Sequence, residues 1–382
     1  MEINDLLLDD PEGLAVGDPA GMLAATAGAG GFMRAAAGTL DVDAVERLAD
    51  DGRPRAVVVV GGGGSTAAGD ILNAVAGLGS PIPVITSSGP SLPGWVGPTD
   101  LVVAVSGSGS TQETLASVSE AVRRGCRLAA ICPAKSELAQ IVGADRSAQL
   151  LALSQPADGR PLRARALLWS LATPLLLLGG RIGLVDDAPA AIARAADSLD
   201  DIARTCGPVV PIGENPAKQL ALEVGQSWPV IWGTGDVGAV AAQRFSRQLA
   251  ENAGLPSSCG AVPEAARTQS VLFAGPRAVH LDADDIFRDR VEDPEPQVRL
   301  RLVLLRDSPE HPETALLADR GARVAQDAAV PISIVRAEPG NSLDRLVALV
   351  GPTDFASVYA ALALGIDPTP GARELGVTLD DR

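Results

Sequence analysis

The chain has 382 residues, enough for two domains that each bury a core, and its 47 acidic against 31 basic side chains leave a net charge of −16. This negative balance argues against nucleic acid or an anionic membrane surface as the main partner, and an aromatic content of 3% supplies few platforms for stacking bases or sugar rings. The four cysteines, Cys126, Cys132, Cys206 and Cys259, form no CxxC pair and suit a reducing, cytoplasmic setting.

The opening MEINDLLLDDPEG carries acids where a secretion signal would carry bases, so no targeting peptide is expected. Apolar strand-like runs then alternate with helical segments: AVVVV (56–60), IPVIT (82–86), LVVAV (101–105), RLAAI (127–131) and QLLAL (149–153). This is the pattern of a doubly wound, flavodoxin-like parallel sheet. The apolar run ALLWSLATPLLLLGG (166–180) is too short for a membrane span and contains Pro174, so it reads as a buried helix. A helical stretch over about 187–205 leads into CGPVVPIGENP (206–216), whose prolines and glycines mark a linker.

The pattern restarts with WPVIWG (228–233), a helix to about Asn252, RLRLVLL (299–305) and PISIVRA (331–337). Between them FRDRVEDPEPQ (287–297) is charged and aperiodic, as an exposed loop would be, and FASVYAALALG (355–365) offers an apolar helix face for a core or a subunit contact. The expected fold is α/β: two tandem α/β/α sandwiches with parallel central sheets, over 1–205 and 206–382. The two halves share a design rather than letters, since VVVVGGGGS, LVVAVSGSGS and PVIWGTGDVG each run a strand into a glycine turn.

The stretch SGSGSTQET (106–114) gathers five hydroxyl side chains, Ser106, Ser108, Ser110, Thr111 and Thr114, between the strand LVVAV and a helical segment. Free backbone N–H groups, the helix dipole and hydroxyls together favour an anion there, most simply a phosphate. The competing reading is a capped turn, although a cap needs only one hydroxyl. GTGDVG (233–238) matches the GxGxxG dinucleotide fingerprint, which also requires an acid at the end of the next strand. Glu251 lies near that distance but in FSRQLAENAG, a helix end, so nicotinamide chemistry ranks below phosphate binding.

GGGGSTAAGDIL and SGSGSTQETL resemble the two phosphate-gripping turns of the sugar isomerase (SIS) fold. RALLWSLATPLL (165–176), NPAKQLALEVGQSWPVIWGTG (215–235), RQLAENAGLP (247–256), VPE (262–264) and GIDPTP (365–370) follow in order. Together they make the chain similar to the bifunctional phosphoglucose/phosphomannose isomerase family, which has two such domains. The resemblance implies that Ser65, Ser106, Ser108 and Thr111 bind the phosphate of a small sugar phosphate, with Gly63 and Gly64 lending backbone to the pocket. It places Arg165 beside the reacting carbons, with Arg163 as the alternative register, and makes Glu251 the base that moves a proton between C1 and C2. It further implies a homodimer and no cofactor.

The chemistry suits those residue types, because a proton next to a carbonyl is weakly acidic. Its removal needs a carboxylate within hydrogen-bond reach and a positive charge where the enediolate forms. Two family groups are missing, however. The family's ring-opening histidine stands a few residues after PE, where VPEAARTQSVLF carries Arg267, and a lysine expected about two helical turns after DPTP has no counterpart, Gly376 falling near its place. Arginine stays protonated at neutral pH and is a poor acid or base.

The only histidines, His280 and His311, lie too far apart in sequence to suggest a zinc site; His280 is a conceivable replacement acid and His311 reads as a surface residue. Two readings follow. One is a working isomerase between glucose 6-phosphate or mannose 6-phosphate and fructose 6-phosphate, and the other is a non-catalytic phosphosugar sensor or regulator.

Overall fold

The computed structural model describes residues 3–145, 147–153, 164–275 and 299–369. They fall into two compact units, one of Ala27–Asp200 with Asn341–Asp344 and the other of Met1–Thr26, Asp201–Gly340 and Arg345–Arg382. The short helices α1 (Pro11–Gly17) and α2 (Met22–Ala27) open the chain.

The first of these units begins with α3 (Ala29–Thr39), α4 (Val42–Asp50), β1 (Val57–Gly61), α5 (Thr66–Ala76), β2 (Val84–Ser87), β3 (Leu101–Val105) and α6 (Gln112–Arg123). Then come β4 (Arg127–Cys132), α7 (Glu137–Ala144), β5 (Gln149–Ala152), α8 (Leu168–Arg181) and α9 (Ala188–Thr205). The strands form a parallel sheet in the order β2-β1-β3-β4-β5.

β1 and β3 are buried at every position and β4 at all but Arg127, as central strands covered on both faces should be, whereas the edge strands β2 and β5 are only partly buried. Val58, Val60, Val102, Ala104, Leu128 and Ala130 pack against Leu115 and Val118 of α6 and Leu138 and Val142 of α7. The alternate residues face the other layer, where Gly69 of α5 comes so close to Val59 that a Cβ would stand 2.8 Å from its side chain. The run expected to be a buried helix is α8, whose residues are almost all buried around Pro174.

The other unit holds α10 (Pro216–Gly225), β6 (Ser227–Thr234), α11 (Gly235–Ala253), β7 (Ser258–Val262), α12 (Glu264–Thr268), β8 (Arg299–Arg306), α13 (Pro312–Asp327), β9 (Ile332–Arg336) and α14 (Ser342–Ala363). Its parallel sheet runs β7-β6-β8-β9, so both sheets place their first strand between the second and the third. Trp232 anchors one core layer with Phe273, Leu302, Leu304 and Ala318, and its ring lies against Gly321, where a Cβ would come within 2.3 Å.

The segment expected to be a linker is knitted into this unit. The fully buried Lys218 donates from Nζ to the carbonyls of Pro208 at 2.9 Å and Val210 at 2.6 Å. Asn215 donates to Gly207 O at 3.1 Å and Tyr359 to Cys206 O at 2.7 Å. Proline and glycine here serve a tight path whose carbonyls are satisfied by side chains. Burial pushes the Lys218 ammonium below its usual range, against the pull of Asp9.

Among the described residues α14 alone is long and apolar enough to cross a membrane, and 89% of its apolar stretch is buried inside the fold. FASVYAALALG therefore belongs largely to a core. The segment FRDRVEDPEPQ, expected to be a loop, lies with His280, Arg163 and Gly376 outside the described residues.

Candidate functional site

The order β2-β1-β3 sends the chain one way after β1 and the other way after β3, which opens a crevice at the carboxyl ends of these neighbours. Gly61 pairs with Val105, so the turns that follow leave the sheet side by side. They touch: a Cβ on Gly62 would stand 2.8 Å from Thr111 Cγ2.

The hydroxyls of the second turn form one connected cluster. Ser106, buried to 1% exposure, accepts from Gly109 N at 2.9 Å, and its Oγ lies 3.3 Å from Thr111 Oγ1. Thr111 Oγ1 is in turn 3.5 Å from Ser108 Oγ, which accepts from Ser110 N at 3.3 Å and Ser110 Oγ at 3.2 Å. Ser108 and Ser110 are exposed.

Thr111 occupies the N-cap position of α6 and Ser65 that of α5, yet neither side chain caps its helix. Helix capping therefore does not account for the Thr111 and Ser65 hydroxyls, whereas those of Ser106 and Ser108 take backbone N–H groups of the turn itself. Two helix amino termini that lack side-chain caps, each with its positive dipole end, open beside the cluster. Gly63 and Gly64 are exposed on the short 3₁₀ turn Gly63–Ser65, where Gly63 has φ of 54°.

Sequence reasoning named the hydroxyls and missed what shapes the loop. Gly109 has φ of 67°, and a Cβ there would stand 2.2 Å from Ser136. Its carbonyl accepts from Leu138 N at 2.9 Å, which ties the loop to the start of α7. The alternating S-G-S-G spelling was the available signal. Thr114 Oγ1, buried in the first turn of α6, finds no hydrogen-bond partner among the described residues.

Arg165 is half-buried on the 3₁₀ turn Ala164–Leu167, which packs against Gly63–Ser65. Leu167 closes over Gly107, where a Cβ would come within 2.6 Å of Leu167 Cδ1. The same unit thus brings Arg165's turn to the two hydroxyl-bearing turns.

Glu251 lies in the other unit, exposed in the last turn of α11. The helix ends at Gly254, in the left-handed region, with Gly254 N donating to Ala250 O and Leu255 N to Leu249 O. FSRQLAENAG is thus a helix end and not the end of a strand, as the fingerprint would have required. In GTGDVG, a Cβ on Gly233 would stand 1.9 Å from Gly238 O, so these glycines allow strand and helix to pack closely.

The Thr234 hydroxyl and two arginines near the turn already have carboxylate partners. Thr234 donates from Oγ1 to Glu310 Oε1 at 2.6 Å, Arg306 Nε donates to the same oxygen at 2.9 Å, and Arg345 Nε donates to Asp307 Oδ1 at 2.7 Å. Burial alone would raise the Glu310 carboxyl, but Arg306 and Thr234 hold it below its usual range.

Arg267 stands exposed in the last turn of α12. His311, expected as a surface residue, also caps a helix, since its Nδ1 accepts from Glu313 N at 3.3 Å at the start of α13. Among the described residues no three His, Cys, Asp or Glu side chains gather as a metal set.

Two parallel sheets of this order, the first with a hydroxyl-lined crevice at its switch point, are consistent with tandem SIS-type α/β/α sandwiches. Residues 213–372 match the bacterial phospho-glucose isomerase C-terminal SIS domain, and the chain is related to the bacterial phosphoglucose/phosphomannose isomerase family. It is 27% identical over 316 residues to a bifunctional phosphoglucose/phosphomannose isomerase of Caldicellulosiruptor bescii, covering 82% of this chain and 86% of that one. The corresponding protein of Aquifex aeolicus is 23% identical over 280 residues, covering 73% and 75%. The crystal structure of tagatose-6-phosphate ketose/aldose isomerase from Escherichia coli shares the fold, with a TM-score of 0.64 at 16% identity, covering 92% of this chain and 94% of that one.

Proposed function

We propose that the protein binds a small sugar phosphate and isomerises it between aldose and ketose through an enediolate. The observation that carries this reading is the pair of adjoining turns after β1 and β3, whose hydroxyls are not used as helix caps. Ser65, Ser106, Ser108 and Thr111 grip the phosphate there, with the backbone of Gly63 and Gly64 at the rim. Arg165, whose turn adjoins the grip, steadies the negative charge of the enediolate. Glu251 takes the proton from one carbon and returns it to the neighbouring one. Glucose 6-phosphate or mannose 6-phosphate, with fructose 6-phosphate, are the substrates that the relatives' names suggest. The working form is a homodimer by the same resemblance.

One observation favours a second reading, a phosphosugar sensor without turnover: Arg267 stands where the family's ring-opening histidine is expected. Proton NMR of fructose 6-phosphate with the protein in D₂O separates the two. Deuterium uptake next to the carbonyl and growth of aldose signals, both lost in Glu251→Gln, support the isomerase. Saturable binding without exchange selects the sensor.

A further inference from the structure

Arg244, Gln248 and Asn252 recur at every fourth residue of α11 and are buried, at 9%, 5% and 4% exposure. They face Asp354 and Ser357 of α14, themselves buried in a largely apolar stretch of helix. Arg244 forks onto Asp354, with Nε donating to Oδ1 at 2.8 Å and an η nitrogen to Oδ2 at 2.7 Å. The Gln248 amide oxygen, turned toward Arg244, accepts from both η nitrogens at 3.2 and 2.8 Å. Asn252 Nδ2 donates to Ser357 Oγ at 2.8 Å, and that hydroxyl donates to Asp354 O at 2.7 Å. A continuous line of polar atoms therefore runs from the middle of α11 to its last turn.

Stability does not explain such a seam. A buried ion pair exchanged for apolar side chains of similar size commonly leaves a fold unchanged or about 1–4 kcal/mol more stable. Burial pushes the Asp354 carboxyl up, against the pull of Arg244 beside it. What a polar seam supplies is register, because an apolar helix face alone would also pack after a slide or a rotation. With about 100° per residue, Arg244, Gln248, Glu251 and Asn252 share an arc of about 100° on α11. Glu251 is thus the point at which the stripe that carries the seam comes into the open.

We propose that Arg244, Asn252, Asp354 and Ser357 are positioning residues, whose seam fixes α11 on α14 and so holds the last turn that presents Glu251. This rests on the reading of Glu251 as the base. A slide of one residue moves the turn by about 1.5 Å along the axis and swings it by about 100°, and a displacement of about 1 Å can cost a reaction about 100-fold.

The test removes the seam in two groups, Arg244→Met with Gln248→Leu and Asp354→Leu, and Asn252→Leu with Ser357→Ala, so that no buried charge or amide is stranded. Thermal melting, kcat and KM for fructose 6-phosphate, and amide hydrogen exchange at Gly254 and Leu255 are measured on each. The expected result is a melting temperature unchanged or raised, kcat lowered by about 10-fold or more at unchanged KM, and faster exchange at those two amides. A folded variant with wild-type kcat, or with wild-type exchange there, overturns the proposal. Retention of wild-type deuterium uptake in Glu251→Gln would instead refute the base assignment. Exchange at Gly254 and Leu255 would then still decide whether the seam holds the turn, as it would if the wild-type protein did not turn over.

Discussion

Replacing Thr111 with valine separates a helix cap from a phosphate ligand. Thr111 stands at the N-cap of α6, its hydroxyl makes no cap bond, and it lies 3.3 Å from Ser106 Oγ and 3.5 Å from Ser108 Oγ. Valine keeps the methyl that packs against Gly62 and removes only the hydroxyl. If that hydroxyl capped the helix, its loss would cost about 1 kcal/mol, or about 2–4 °C in melting temperature for a domain of this size. If it donates to a phosphate, a charge-assisted bond worth about 1.5–3 kcal/mol disappears, which raises Kd about 10- to 150-fold. The expected outcome is a melting temperature within about 2 °C of wild type and a sugar-phosphate Kd at least about 10-fold higher by calorimetry. A variant that melts early but binds fructose 6-phosphate as the wild type does would refute the grip and restore the cap.

Two further outcomes follow from geometry already described. Gly109→Ala forces a left-handed φ of 67° on a residue with a Cβ and drives that Cβ to 2.2 Å from Ser136, so it should cost about 2 kcal/mol or more and weaken ligand binding. A wild-type melt and affinity would show that the loop adapts freely.

Asp100 is fully buried, and burial alone would raise its carboxyl. The Arg55 guanidinium at 2.6 and 2.9 Å and Gly97 N at 2.8 Å hold it below the ordinary 3.8. The unfolded chain then takes up this proton at higher pH than the folded one. The contribution is complete above the ordinary aspartate range and disappears as pH falls through the folded value. Asp100→Asn should flatten the acid limb of urea-denaturation stability below about pH 4, and an unchanged limb would exclude this carboxylate as its source.

The parallel sheets were legible because AVVVV and LVVAV are uniformly apolar and RLRLVLL becomes so after Arg301, as short strands buried on both faces do. SCGAV, which forms β7, was missed because it is short, contains a glycine and leaves most of its residues only partly buried. The path through 206–216 read as a linker because composition cannot reveal that Lys218 and Tyr359 satisfy its carbonyls from distant places in the sequence. Likewise the hydroxyls of 106–114 announced themselves, whereas nothing local showed that Thr111 would leave its helix uncapped. His311 was underrated because an imidazole that receives a helix N–H has no composition signature.

The two sheets repeat one topology, but the loops that follow their third strands have parted ways. After β3 the loop offers neutral hydroxyls; after β8 it carries Glu310, whose carboxylate takes the Thr234 hydroxyl and the Arg306 guanidinium for itself. In effect the second repeat has internalised its own counter-ion. A duplicated architecture so arranged is asymmetric in charge: the loop after the third strand of one copy carries a carboxylate with its own partners, and the matching loop of the other carries none.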